Sequence, residues 1–312
     1  MGTNTNDKPS VFSKTPVLCA GALICCALWG SAYSVIKIGA KLFGVDSTHA
    51  PSMILFAGIR FFLAGILTIL IGSLIERRWL VLHRHSVGSA VKLSLAQTVG
   101  QYICFYIGLG MTSAVRSSIL GGASCFVTMV LACLVFRSEA LTFRKAAGSL
   151  IAFAGVVVIN LSASAAGGSL KGDVILLASC VAYASSISLM KKYSETEDPV
   201  TLSGYQFVIG GAVMIAIGIL LGGRITAFSG AAAGLMLYLG MLSAVAYSLW
   251  GVLLKHNPVS RVSVFYAATP LFGVLISAII PEERGTILSY TNLAALALVC
   301  IGTATVNSEK RK

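Results

Sequence analysis

Charge is what this chain has least of. Only 11% of its 312 residues are Asp, Glu, Lys or Arg, against about 25% in an ordinary soluble domain. A chain of this length could bury a large core, but so few charges cannot cover the water-facing surface around it. A soluble enzyme is therefore excluded. Histidine is scarce as well. His49, His83, His85 and His256 fall in connections or at segment ends, and none has metal-ligand spacing with a cysteine. A glycine-rich phosphate loop is missing, so direct use of ATP is not expected. So are the clustered acid, base or metal groups that a membrane enzyme would need at one face. Neither a metal nor a cofactor is expected.

What the chain has in excess is apolar surface: 56% hydrophobic residues and a mean hydropathy of +0.88. For most of the molecule the solvent must be lipid. The eight cysteines, Cys19, Cys25, Cys26, Cys104, Cys125, Cys133, Cys180 and Cys300, lie within apolar stretches and read as small buried hydrophobes. A net charge of +12 would suggest nucleic acid in a soluble protein. Here the Lys and Arg residues sit between apolar segments, as in the basic loops of membrane proteins, so the expected partners are a bilayer and a small molecule, with no nucleic acid.

A helix crossing a bilayer needs about 20 apolar residues. Ten stretches qualify: 17–38, 51–74, 90–110, 113–136, 143–162, 172–192, 200–222, 232–254, 259–280 and 288–306. The expected fold class is thus an all-α membrane protein of ten transmembrane helices. Gly30-Ser31-Ala32 imitates a signal-peptide cleavage site, but the apolar run continues to Ile38, and the segment reads as a crossing. Sixteen of the 23 Lys and Arg residues fall on the side of both termini. Five, Lys41, Arg116, Lys171, Arg224 and Arg284, fall on the other. Both termini are expected to be cytoplasmic.

The chain repeats itself. Gly58, Gly65 and Gly72 in segment two reappear as Gly204, Gly211 and Gly218 in segment seven, each ladder spaced by seven residues. That spacing is close to two helical turns, so each ladder lies along one face. Glu139 after segment four has a counterpart in Glu283 after segment nine. Leu28-Trp29-Gly30-Ser31 aligns with Ala182-Tyr183-Ala184-Ser185, which pairs Lys37 with Lys191. The division that follows is an N-terminal tail (1–16), a first repeat (17–162), a second repeat (163–306) and a short basic tail (307–312). A unit with five crossings re-enters the membrane from the opposite side. The halves are then a five-plus-five inverted repeat, the plan by which many transporters build alternating gates around a central site.

Trp29-Gly30-Ser31, Arg60-Phe61-Phe62-Leu63-Ala64-Gly65, Glu139, the run from Pro270 to Glu283, and Ala154-Gly155 with Ile301-Gly302 carry a resemblance. In these residues, and over about Val17 to Asn307, the chain resembles the EamA-type branch of the drug/metabolite transporter superfamily. The resemblance implies a central cavity, residence in a bacterial cytoplasmic (inner) membrane and export of metabolites or amino acids. It also implies that segments five and ten stand outside the cavity, where they would support a homodimer. Gly148, Ala152, Gly155, Ala295 and Gly302 would permit close packing there. Two departures concern bending and the site. Phe126 stands where the family's segment-four proline is expected, whereas its partner Pro270 is present, and Tyr183 replaces the aromatic of Trp29 in the second half.

The 11 carboxylates all fall in connections, tails or segment ends. A proton-coupled exporter of organic cations would be expected to hold one near the midplane, so that mechanism is disfavoured. Glu139 and Glu283 either carry protons for a coupled cycle or are solvated helix-end residues, the reading that their positions favour. Arg60 is the opposite case. Nine residues into segment two, it lies about 13 Å deep in a core of about 30 Å. There a charge costs at least about 2.5–3.5 kcal/mol unless partnered. It either faces a water-filled cavity and attracts a substrate carboxylate, or donates to backbone carbonyls and braces helix ends. Lys37 and Lys191 sit near helix C-termini, where a lysine can snorkel to water.

The remaining cavity candidates are Trp29 and Tyr33 on segment one, Gln97, Gln101, Tyr102 and Tyr106 on segment three, and Tyr183 on segment six. Gln206, at the position equivalent to Arg60, and Ser243 with Tyr247 on segment eight complete the set. Trp79 and Tyr290 read as interfacial belt residues. Aromatic walls with a few amides suit an amphipathic metabolite, an amino acid or related zwitterion. Passive facilitation of the same substrates, or a non-transporting membrane scaffold or receptor, are the alternatives.

Overall fold

The computed structural model describes residues 10–46, 48–109, 111, 120–161, 169–269, 271–273 and 290–308. Every regular element among them is helical. The helices are α1 (Thr15–Leu42), α2 (Ala50–Glu76), α3 (87–109), α4 (124–135), α5 (Phe143–Leu161), α6 (Leu170–Tyr193), α7 (Pro199–Leu220), α8 (Gly230–His256), α9 (259–268) and α10 (Tyr290–Asn307). Five of them, α1, α2, α6, α7 and α8, are long and apolar enough to cross a membrane. The described parts of α4 and α9 are shorter than the stretches expected there. Pro270, Arg116 and Glu283 lie outside the described residues, as do the side chains of Tyr33, Lys37 and Tyr290.

The helix starts follow from local chemistry. Ser169, Asp198 and Ser229 cap α6, α7 and α8, each accepting from an amide three residues on. Proline occupies the first turns of α1, α2 and α7, where its missing N–H costs nothing. α2 stops where Arg77 adopts a left-handed conformation, φ 53°, and its amide returns to Leu74.

Two of the helices leave α geometry midway. α3 runs as α-helix over Val87–Ser94, widens to a π turn at Leu95–Gly100 and resumes at Gln101–Leu109. α4 is α-helical through Phe126 and opens to a π turn at Leu131–Val135. Phe126, where the family's proline is expected, lies in regular α-helix. Without a proline there the helix stays regular, and the departure comes five residues later, where i→i+5 bonding changes the helix path.

Packing brings the two sequence halves together in pairs. α2 lies along α7, α5 along α10, α1 along α8 and α3 along α6. The glycine ladders explain the first pair. A methyl group added at Gly65 would stand 2.6 Å from Val208 N and 2.7 Å from the Gly204 carbonyl, and one at Gly58 2.7 Å from Ile215 N. From the other side, Gly218 presses on Leu55 and Gly211 on the Gly58 carbonyl. Gly58, Gly65, Gly211 and Gly218 press on the partner helix's backbone, whereas Gly72 packs against the Leu80 side chain and Gly204 against that of Ile69. In the α5–α10 pair, Gly148 meets the Gly302 carbonyl, Gly155 meets the Ala295 carbonyl and Gly302 meets Ala152. The small faces of α5 and α10 are thus filled by each other within one chain.

Candidate functional site

The centre of the bundle is a connected set of aromatic rings contributed by seven helices. Trp29 of α1 contacts Tyr247 at 5.2 Å and Trp250 at 5.0 Å, both on α8, and Tyr266 of α9 at 5.7 Å. Tyr266 reaches Tyr183 of α6 at 4.9 Å. Phe61 of α2 packs on Tyr102 of α3 at 4.5 Å and stacks on Phe207 of α7 at 5.2 Å, and Phe207 meets Tyr247 at 5.0 Å. The hydroxyls of Tyr102 and Tyr247 share a hydrogen bond of 2.9 Å. Tyr106, one turn beyond Tyr102, has its ring centroid at 6.3 Å from it. Two of these contacts join residues at corresponding places in the halves: Phe61 and Phe207 are 146 positions apart, and Tyr102 and Tyr247 are 145 apart.

Arg60 borders this set. It is 3% exposed, and its Nε and Nη1 have no hydrogen-bond partner. The guanidinium carbon lies 4.5 Å from the Phe61 ring centre and 5.9 Å from that of Tyr102. Aromatic faces attract a cation and contribute about 2 kcal/mol or more when desolvated. They offer no hydrogen-bond acceptor, so the donors stay free for a carboxylate, which Arg would engage in charge-assisted bonds.

The polar candidates divide. Gln206 is buried and accepts from Thr98 Oγ1 at 2.7 Å, while its Nε2 has no partner. Buried Trp29 Nε1 and Tyr183 OH are likewise free donors, and Gln97 Oε1 and Gln101 Oε1 are free acceptors. The two glutamines do not simply share an α-helical face, because the π turn at Leu95–Gly100 intervenes, and neither belongs to the ring network. Ser243 is spent on its own helix, donating to the Leu239 carbonyl at 3.0 Å. Trp79 is 69% exposed on the connection after α2, in keeping with a belt position.

At the end of the bundle that carries the described terminal residues, called the basic face here, polar contacts are dense. Glu139 is not solvated as expected. Its side chain is 8% exposed, pairs with Lys145 at 2.8 Å and accepts from both the amide and the hydroxyl of Ser260. A left-handed Arg137, φ 50°, and the return of the Ser138 amide to Ala132 turn the chain at this corner. Lys191 donates to the Lys255 carbonyl at the end of α8, 2.9 Å away, so it serves the C-terminus of a neighbouring helix. His83 pairs with Glu197 at 2.9 Å, joining the α2–α3 and α6–α7 connections. Burial alone would raise the Glu197 carboxyl. Hydrogen bonds from His83, Ser86 and the Asp198 amide outweigh it and hold that group below its ordinary value.

Sequence reasoning missed Phe61, Phe207, Trp250 and Tyr266 as members of the central set. The 146-residue offset that paired Arg60 with Gln206 carries over to the next residues, Phe61 and Phe207, and would have found them. Nothing in the order of residues marks Tyr266, which a 3-10 turn at Val264–Ala268 brings inward. Among the described residues no group of His, Cys, Asp and Glu is arranged to hold a metal ion.

Comparison with known proteins agrees with this architecture. A protein of Archaeoglobus fulgidus described as an uncharacterized transporter is 28% identical over 281 residues, covering 88% of this chain and 92% of its own. The probable amino-acid metabolite efflux pump of Escherichia coli K12 is 25% identical over 280 residues, covering 86% of this chain and 88% of its own. A solved crystal structure superposes with a TM-score of 0.77 over 95% of this chain and 98% of that one, at 16% identity, which shows a shared fold. The model of the EamA-like transporter family matches residues 17–161 and again 170–308. The chain therefore belongs to the EamA-like transporter family and is a multi-pass membrane transporter.

Proposed function

We propose that this protein exports a small amphipathic zwitterion, an amino acid or a close relative, by alternating access across a bacterial cytoplasmic membrane. The reading has ten crossings in a five-plus-five inverted arrangement. The observation that carries it is Arg60: a buried guanidinium with unpaired donors, flanked by aromatic rings and facing no carboxylate among the described residues. A charge so placed costs several kcal/mol in lipid and marks a functional site by default. The substrate carboxylate would sit on Arg60, its apolar part among Trp29, Tyr102, Tyr183, Tyr247 and Tyr266, with Gln97, Gln101 and Gln206 as further polar contacts. Support for inversion comes from the helix pairs. Under a five-plus-five repeat α1–α8 maps onto α6–α3, while α2–α7 and α5–α10 map onto themselves, and all four pairs are present. The efflux pump of Escherichia coli supports the substrate class.

Passive facilitation is the second reading. The described helices hold Asp and Glu only in end turns, Glu76 on α2 and Asp173 on α6, so no midplane proton carrier is in view among them. Uptake of a labelled amino-acid panel into proteoliposomes, with and without an imposed pH gradient, separates the two. Saturable flux indifferent to the gradient means a facilitator, and gradient-driven accumulation means coupled export. No saturable flux of any amino acid would sink the substrate assignment.

A further inference from the structure

One side chain joins the α4–α5 corner to the first turn of α9. Glu139 Oε1 accepts from the Ser260 amide at 2.8 Å, and Oε2 accepts from the Ser260 hydroxyl at 2.6 Å. Oε2 also accepts from Lys145 Nζ at 2.8 Å, and the same ammonium donates to the Ala140 carbonyl at 2.7 Å. The charges are unevenly divided across this junction. Both charged partners, and the carbonyl that completes the lysine, belong to the corner. From α9, Ser260 contributes its neutral amide and hydroxyl.

That division decides what separation would entail. Parting two halves of a buried ion pair strands a charge in a poorly solvating environment, and such contacts are strongly resisted. Parting Ser260 from Glu139 strands none, because the carboxylate keeps Lys145. The junction can open and re-form while its electrostatics stay whole. The same turn of α9 is held elsewhere by Arg261, which donates from Nε to Asn307 Oδ1 on α10 at 3.1 Å and from Nη2 to Thr15 Oγ1 on α1 at 3.3 Å. Those contacts do not involve the corner, so α9 remains attached when Ser260 lets go.

Tyr266 lies six residues beyond Ser260 on α9, about 10 Å along a helix of this kind. Its ring bridges Tyr183 and Trp29 in the central aromatic set. We propose that Glu139 is a positioning residue of the transport cycle. It latches the first turn of α9 when the basic face is closed, which holds Tyr266 in the ring network. Release of Ser260, with the Glu139–Lys145 pair intact and α9 pivoting on Arg261, opens that face. The proposal rests on the alternating-access reading for its purpose, but its first readout needs no substrate.

The test is hydrogen–deuterium exchange of the full chain in lipid nanodiscs, comparing peptides over 259–268 with peptides of α2 and α7. Ser260→Ala removes the hydroxyl bond and leaves the ion pair, so the fold is kept. Exchange over 259–268 should then rise roughly tenfold, the equivalent of one lost hydrogen bond to a charged acceptor. The α2 and α7 peptides should match wild type, and Ser260→Thr should restore protection. Unchanged exchange over 259–268 in Ser260→Ala would overturn the latch, and so would a rise of equal size in every peptide. A local rise that leaves the rate of labelled amino-acid flux into proteoliposomes unchanged would mark the bond as structural only and overturn the latch, whereas absence of flux in the wild type sinks the transport reading instead.

Discussion

Arg60 is costly to keep where it is, and its substitution gives the sharpest prediction. Replacement by Gln removes a charge while retaining a polar side chain that can satisfy itself, so the fold should survive. Flux of zwitterionic or anionic substrates should fall about tenfold or more, the loss of one charge-assisted hydrogen bond, and neutral analogues lacking the carboxylate should change little. Equal loss of folded protein and of all flux would instead mark the guanidinium as structural. The lack of a carboxylate on its own segment was legible in the sequence, and its burial is what the packing adds. Glu139 was not legible. A carboxylate at a segment end looks solvated in the sequence, and only the return of α9 onto the corner, 121 residues away in sequence, buries it. Glu197 offers a pH test. Its folded carboxyl is held below the ordinary value, so the stability it lends the α6–α7 connection is present above that value and disappears as pH falls through the lowered one. Thermal unfolding from neutral to acid pH should show wild type and Glu197→Gln converging at the acid end.

Helix existence was readable from hydropathy because lipid-exposed backbone must satisfy itself, which leaves one form available to each apolar run. Helix irregularity was not readable in the same way. No proline or glycine pair announces the π turn in α4, and Gln97 and Gln101 lost their simple shared face to the π turn in α3. The glycine ladders were legible in spacing and became explicable in contact, since the gaps at Gly58, Gly65, Gly211 and Gly218 admit the other helix's backbone. Gly65→Leu should therefore be damaging out of proportion to its hydrophobicity. The added atoms meet main chain at Val208 and Gly204, which cannot rotate away, and overpacking of this kind typically costs about 1–3 kcal/mol or more. Folded yield and melting temperature in detergent measure it. Gly88, where an added methyl group meets nothing within 4 Å, is the matched control and should tolerate Ala at no more than helix-neutral cost.

For the molecule as a whole, the pairing of α5 with α10 bears on assembly. Their small residues face each other inside one chain, so Gly148→Leu should lower folded yield without changing the stoichiometry of the purified protein. Light scattering in detergent checks this. Loss of a dimer with folded yield unchanged would show that the small face serves a second copy after all. The order of the apolar helices could be read from the chain. The meeting of equivalent residues at the centre could not, because duplication fixes which residues correspond and says nothing of whether they touch.

That meeting has a historical consequence. Phe61 stacks on Phe207, and their chain neighbours Arg60 and Gln206 both lie against α3, Arg60 beside the Tyr102 ring and Gln206 bonded to Thr98. In an ancestor assembled from two identical copies of the proposed unit, any residue beside the axis would have been present twice. Two guanidiniums flanking one stacked pair in a poorly polarisable interior would repel each other. A single positive charge at that place is available only to a chain whose halves are free to diverge. Fusion of the copies would thus have permitted a polarity, and with it a preferred way round for the bound molecule, that a symmetric pair could not possess. Gln206→Arg would re-create the symmetric arrangement and should be poorly tolerated, with folded yield as the measure.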